Sequence, residues 1–284
     1  MKFPNFGYAC PSSLADALHI LRVDKDARVL AGGQSLLPMM ALRLAAPSVL
    51  VDLGALDELR QIELGEFGVR IGAMVTHDAN ASSDVVSRNV PLLAEALKHV
   101  AHQAVRNRGT IGGSIANADA AAEMPAVAVV LNATMTLQNC AGSRNVAASE
   151  FFLGHYTTSA EPDELLTHIT FPPSNLSCAF EEVARRPGDY ALALAAVGIQ
   201  LDSGVCRTAR IVVGSISDKP LRSQEAESFL VGKQINLECA QEAGRIALSN
   251  VRVRGDIHAS PDFRTSLATK LVTKALIRAT EEAA

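Results

Sequence analysis

The chain has no tryptophan, and aromatic residues make up only 4% of its 284 positions. Its cores must therefore be built mainly from alanine, valine, leucine and isoleucine. The five cysteines, Cys10, Cys140, Cys178, Cys206 and Cys239, are scattered, odd in number and never paired as C-x-x-C. That argues against a disulfide framework, a zinc site or an iron–sulfur cluster held by this chain alone, and fits free thiols in a reducing compartment. No apolar run reaches the roughly 20 residues of a membrane span. The start, MKFPNFGYACPSS, has no apolar stretch of the kind that marks a secretion signal. A net charge of −4 gives no reason to expect nucleic acid or an anionic membrane as partner. The default expectation is a cytoplasmic protein. Two nucleotide signatures are also missing: there is no G-x-G-x-x-G and no Gly-Lys-[Ser/Thr] loop.

What remains is ordinary globular material, 48% hydrophobic and 20% charged, enough for one large domain or two. Helical spacing of Leu14, Leu18 and Leu21 after Pro11-Ser12-Ser13 predicts a first helix. Short strands are expected at Arg28–Ala31 and Ser48–Asp52, with a helix or turn from Leu36 to Leu44 between them. A hairpin over 61–64 and 69–71 turns at Gly65-Glu66-Phe67-Gly68. Thr76 or Asp78 caps a helix, Pro91–Val100 is helical, and Met124–Leu131 is an apolar helix. Strands follow at Thr134–Leu137 and Leu165–Phe171. Pro172-Pro173 and the polar residues after it mark the best domain boundary. Beyond it come strands at 179–183, 191–201 and 208–214, then helical blocks at 223–249 and 261–279. That order predicts a small α+β domain with an antiparallel sheet.

Two glycine pairs stand out. Ala31-Gly32-Gly33-Gln34-Ser35-Leu36 follows a strand, and Thr110-Ile111-Gly112-Gly113-Ser114 follows what reads as a second strand-like segment. Paired glycines let a phosphate or another backbone approach closely and expose N–H groups. Each pair has a hydroxyl close behind it, Ser35 and Ser114, and the helix expected after the second would add its positive end. Taken alone, each is also what an ordinary turn looks like. Two of them together read as a clamp with two sides, as a pyrophosphate would require.

The stretches AGGQSLLP, RNRGTIGGSIANADAAAEMPA and RRPGDYAL, with Gly255-Asp256-Ile257-His258-Ala259-Ser260 near the end, resemble the flavoprotein (medium) subunit of the molybdenum hydroxylases. This is the group that includes CO dehydrogenase, xanthine dehydrogenase and the N-heterocycle hydroxylases. The resemblance covers nearly the full length. It implies an α+β architecture: a two-part FAD-binding domain of the vanillyl-alcohol-oxidase-like (PCMH) type over 1–175, and a CO-dehydrogenase-flavoprotein-like C-terminal domain over 176–284. It further implies that Ala31, Gly32, Gly33, Gln34, Ser35 and Leu36, with Thr110, Ile111, Gly112, Gly113 and Ser114, contact FAD. Asn117 and Glu123 would approach its ribose and adenosine half, and Tyr190 would stack near or gate the ring. Without the family, Glu123 is equally a first-turn helix acid, and RRPGDY is a basic turn entering a strand.

Two departures matter. Some relatives carry a flavin-contacting lysine just before RRPGDY, where this chain has Glu181-Glu182. Ala120 stands where relatives often have proline. His77 reads as a hydrogen-bonded structural histidine. His99 and His102 have no metal-ligand partners in sequence. The helix 262–278 places Lys270, Lys274 and Arg278 on one solvated face, or on a docking surface.

The implied function is an electron-transfer subunit with no catalytic or metal-ligating residue of its own. A large subunit would hold the molybdenum cofactor and hydroxylate the substrate. A small subunit would hold [2Fe–2S] clusters that feed FAD here, and an external acceptor would take the electrons. The assembly would be a dimer of heterotrimers. The alternatives are a self-contained FAD-dependent oxidase of a small substrate and a nonenzymatic nucleotide-binding module. Gly113→Val is expected to strip the flavin by filling phosphate space.

Overall fold

The structure is a computed structural model that describes residues 2–283. Its first layer is a parallel three-stranded sheet of Gly7–Ala9, Val49–Asp52 and Arg28–Leu30, with Val49–Asp52 in the middle. Parallel pairing requires a crossover, and the helix Leu36–Ala41 sits in the one between Leu30 and Val49. The helix Leu14–Val23 is capped by Ser13, whose side chain accepts from the Asp16 N–H. It buries Ala17, Leu18 and Leu21 beside this sheet.

A five-stranded antiparallel sheet follows, in the order Ile62–Gly65, Gly68–Gly72, Leu165–Phe171, Thr134–Asn139 and Gly142–Ala147. The last strand gave no sequence signal because only Val146 in it is buried, so there is no alternation to read. The expected helix from Pro91 ends at Ala96 rather than Val100. Every residue of the helix Glu123–Val130 is buried. A helix that is apolar all round needs partners all round. It finds them in the helices Pro91–Ala96 and Ile111–Asn117 and in the strands Ala191–Asp202 and Val205–Gly214.

The second antiparallel sheet runs Ser177–Ala184, Ala191–Asp202, Val205–Gly214, Leu221–Arg222. From Ala191 to Ile199 its second strand is buried on both faces, which explains its unbroken apolar sequence. One face meets the helices Leu237–Leu248 and Pro261–Ala283. The other contributes Phe180, Leu194, Ala196 and Val212 to the core of the first half. The expected helical block 223–249 is two helices, Gln224–Leu230 and Leu237–Leu248. Between them Gly232 adopts φ +80°, a left-handed turn that ends the first. Among the described residues no helix is long and apolar enough to cross a membrane.

The solvated face expected on the last helix is a correction. Lys274 Nζ lies 2.8 Å from Glu181, Arg278 also pairs with Glu181 at 2.7 Å, and Arg278 reaches across to Glu95. Two of the three basic residues thus tie the last helix to the Ser177–Ala184 strand and to the first half of the chain. Other polar links run the same way: Ser215 N–H donates to Ala120 O (2.8 Å) and Arg210 to Val130 O (3.2 Å). Together they hold both halves around the cleft described next.

Candidate functional site

Of the residues read in the sequence as FAD contacts, all but Ile111 line one cleft of about 710 Å³. Ala31 through Leu36 enter from the end of the Arg28–Leu30 strand. Thr110, Gly112, Gly113, Ser114 and Asn117 come from the helix Ile111–Asn117 and its cap. Glu123 starts the next helix, and Tyr190 closes the far end beside Gly188 and Asp189. Ile111 turns the other way, fully buried in the core. It anchors the helix from behind.

The two glycine segments touch. A Cβ on Gly32 would lie 2.2 Å from Arg108 O and 2.7 Å from Gly109 Cα, so only glycine lets the first segment reach the turn leading into the second. Gly33 has φ +72°, a left-handed conformation that turns the chain as it leaves the strand. Among the described residues, the N–H groups of Gly32, Gly33, Gln34, Ser35 and Leu36 have no hydrogen-bond partner. Gln34 Nε2 donates to Gly32 O at 3.1 Å and braces the turn. Successive free N–H groups of this kind form a concave anion-binding surface.

The second segment differs from the sequence reading. It follows a helical turn, Gln103–Arg106, and not a strand; Thr110 makes only an isolated bridge with Thr76. The glycines lie in the first turn of a helix, and their N–H groups are already bonded. Ile111 donates to Val75 O, Gly112 to Ala73 O, Gly113 to Thr110 Oγ1 and Ser114 to Thr110 O, each at 3.0 Å. The glycines serve close packing instead: a Cβ on Gly112 would sit 2.4 Å from that of Ala73. This side therefore presents side chains, chiefly those of Ser114 and Asn117, and not a row of amides.

The wall beyond Asn117 is acidic. Asp119 accepts from Tyr156 Oη at 3.1 Å and from the Ala121 N–H at 2.9 Å. Glu123 is 8% exposed, and burial, with the Asp119 charge adding to it, pushes its carboxyl up to about 7. Burial first, then Asp119 and Glu123, raises the Tyr190 phenol. For an acid raised this way the folded chain holds a proton that the unfolded chain releases. Stability is therefore lost as pH climbs from the ordinary glutamate range to about 7, and is flat above it. The difference amounts to about 3 kcal/mol. Freed of ligand, a Glu123→Gln variant should match the wild type at pH 4 and exceed it by about 2–3 kcal/mol at pH 8 in urea unfolding. Equal stabilities at both pH values would contradict the burial of a charged Glu123.

His77 lines the cleft, and burial, with Arg106 adding to it, depresses its ring to about 4, so it is neutral. Its backbone N–H donates to Gly109 O (2.8 Å), but its buried Nδ1 has no partner among the described residues. It is a packing residue, not the hydrogen-bonded one expected. The turn before Tyr190 rests on His102: Gly188 has φ +83°, and a Cβ there would meet the His102 ring at 2.9 Å. Asp189 closes this turn with its N–H, donated to Arg186 O, rather than with its carboxylate. Sequence reasoning passed over Lys25, Arg28 and Asp119, which also line the cleft. Asp119 carried a signal, its place two residues after Asn117; the two cations carried none.

Residues 4–174 match the family described as the FAD binding domain in molybdopterin dehydrogenase, and residues 178–279 match the CO dehydrogenase flavoprotein C-terminal domain. The nicotine 6-hydroxylase medium subunit of Paenarthrobacter nicotinovorans is 40% identical over 98% of this chain and 99% of its own. The carbon monoxide dehydrogenase medium chain of Hydrogenophaga pseudoflava is 37% identical over 96% of each. The crystal structure of quinoline 2-oxidoreductase from Pseudomonas putida 86 contains a chain that superimposes with TM-score 0.97 and 46% identity. That match covers 100% of this chain and 99% of the other. This chain belongs to the FAD-binding medium subunits of the molybdenum hydroxylases and dehydrogenases.

Proposed function

We propose that FAD lies in the cleft with its pyrophosphate against the N–H groups of Gly32 through Leu36, and that this is how the chain carries electrons within a larger enzyme. The observation behind the placement is that run of unpartnered amides facing the Ser114 and Asn117 side chains. Two phosphate charges meet a concave row of donors there, with Lys25 and Arg28 lining the same cleft. Thr110 holds the second segment in place through its cap and contributes rigidity more than contact. Asn117 and Glu123 face the nucleotide half. Tyr190, 69% exposed at the cleft's far end, is free to cover the ring. When bound, FAD supplies the redox chemistry of the site, and the chain positions it. Residues 1–175 form the FAD domain in this reading, and 176–284 the domain that closes the cleft from the Tyr190 side.

The assembly would be a dimer of heterotrimers in the cytoplasm. A large subunit holds the molybdenum cofactor and a small one holds [2Fe–2S] clusters that deliver electrons to this chain. The five cysteines here are free thiols, consistent with clusters on another chain. A self-contained oxidase is not favoured, because relatives matching over nearly the whole chain are named as medium subunits or chains of larger enzymes. Co-expression with the adjacent reading frames should yield one complex containing molybdenum, iron and FAD. In that complex substrate should bleach the flavin absorbance, whereas the isolated chain should not be bleached by any substrate. Turnover by the isolated chain would overturn this reading.

A further inference from the structure

Arg106 opens the RNRGTIGGS stretch but does not itself line the cleft. Its guanidinium folds back over its own helical turn. Nη1 donates to both Val100 O and Ala101 O, each at 2.8 Å, and Nη2 donates to Gln103 Oε1 at 2.9 Å. Gln103 is held in turn, donating through Nε2 to Asp78 at 2.6 Å and to Asn107 Oδ1 at 2.7 Å. All three acceptors of Arg106 are neutral oxygens, so the guanidinium shapes backbone here and makes no ion pair. The corner it grips needs holding. Ala101 has φ +42°, a left-handed conformation that disfavours any residue with a Cβ. Among the described residues no other hydrogen bond reaches Val100 or Ala101. Both residues line the cleft, and the turn carrying Tyr190 rests against them. Gly188 has φ +83° there, and a Cβ on it would meet the His102 ring at 2.9 Å and the Ala101 carbonyl carbon at 3.0 Å. The start of that turn is tied separately, Arg185 meeting His258 at 3.0 Å. Gly188 to Tyr190 are left to the corner.

We propose that Arg106 is the positioning residue for Tyr190. By bracing the Val100–Ala101 corner it sets where the Gly188–Tyr190 turn lies, and so how far Tyr190 covers that end of the cleft. The inference rests on the assignment of FAD to this cleft with its ring at the Tyr190 end. The pyrophosphate side does not depend on the brace. Its turn is held separately, by the Gly109 N–H on Val105 O at 2.6 Å and the His77 N–H on Gly109 O at 2.8 Å. Loss of the guanidinium therefore loosens the cover of the ring and spares the phosphate cradle. A lysine brings a charged group with donors enough for both carbonyls, but on a flexible stem without the planar fork, so it restores part of the brace. Methionine restores none.

The full chain, stripped of FAD and loaded with it, provides the test. In the stripped chain, hydrogen exchange of the peptide containing Asp189 follows the turn itself, whose Asp189 N–H donates to Arg186 O at 3.1 Å. Arg106→Met should speed that exchange about tenfold, the change in local opening that one lost hydrogen bond brings, and Arg106→Lys should speed it less. In the loaded chain, iodide quenching of flavin fluorescence reports how open the ring is. Arg106→Met should be quenched more readily than the wild type, and Tyr190→Ala sets the value for an uncovered ring. The double variant should match Tyr190→Ala alone, because both residues act on one cover. FAD affinity in Arg106→Met should fall by less than about tenfold. Gly188→Ala presses on the corner from the other side, should move both readouts the same way, and decides the matter if Arg106→Met does not fold. Unchanged exchange in a folded Arg106→Met chain, loss of its FAD, or additive quenching in the double variant would overturn the proposal. If exchange speeds up while even Tyr190→Ala leaves quenching unchanged, Arg106 does hold the turn, and the placement of the ring at that end is what fails.

Discussion

Replacing Gly32 by valine is expected to give a chain that folds but purifies without flavin. The substituted Cβ would sit 2.2 Å from Arg108 O and 2.7 Å from Gly109 Cα, both backbone atoms that cannot rotate away. The two segments must then part, and the row of N–H groups from Gly32 to Leu36 leaves its place opposite Ser114. A displaced cradle of this kind costs about 3 kcal/mol or more, on the order of a hundredfold in affinity. The ratio of flavin to protein absorbance, with circular dichroism as the folding control, measures it. Wild-type flavin occupancy in a folded Gly32→Val chain would show that the two segments do not form one clamp. Gly113→Val should be milder than the sequence implied. Its Cβ meets mainly Thr110 Oγ1, at 2.9 Å, so it disturbs a helix cap worth about 1 kcal/mol.

Arg264→Leu should be the most destabilising single change in the C-terminal half. Arg264 is 5% exposed; it donates to Leu192 O, to Ser215 O at 3.0 Å and to Asp256 at 2.6 Å. Leu192 lies two residues after Tyr190. Ser215 donates its N–H to Ala120 O and its hydroxyl to Ala191 O. One guanidinium thus fixes the strand leaving Tyr190, the end of its neighbour and the turn beside Asp119. Leucine would leave two carbonyls and a carboxylate without their donor, a loss of about 3–5 kcal/mol in urea unfolding. A loss below about 1 kcal/mol would mean that the Asp256 loop relaxes to solvent and the strands hold without it.

How much of this was legible in the sequence follows from what each residue does. The apolar periodicities announced the Leu14–Val23 helix and the buried Ala191–Asp202 strand, because in both the side chains themselves make the core. The Gly142–Ala147 strand was invisible because all its residues but Val146 are exposed, so its backbone ladder and not an alternation defines it. Both glycine pairs were found, yet their roles differ in a way no motif records. Gly32 and Gly33 open a cradle of free amides, while Gly112 permits a helix to lie against Ala73 with its own amides satisfied. Tyr190 reached the cleft because Gly188 turns on His102, a contact between residues more than eighty positions apart. The pairing of Lys274 and Arg278 with Glu181 and Glu95 is equally long-range, so a basic stripe on one helix read as solvated. Family resemblance supplied the cofactor; the geometry supplied the division of labour between the two segments.

The central claim is that this chain by itself holds FAD. Its most direct test is to purify the full chain, release any bound flavin by heat, identify it by chromatography, and reconstitute the stripped protein. The account predicts a yellow protein whose flavin is FAD and which takes FAD up again, with FMN binding far more weakly for want of the adenosine half. A colourless chain that takes up no FAD on reconstitution, or one that releases FMN, would contradict it.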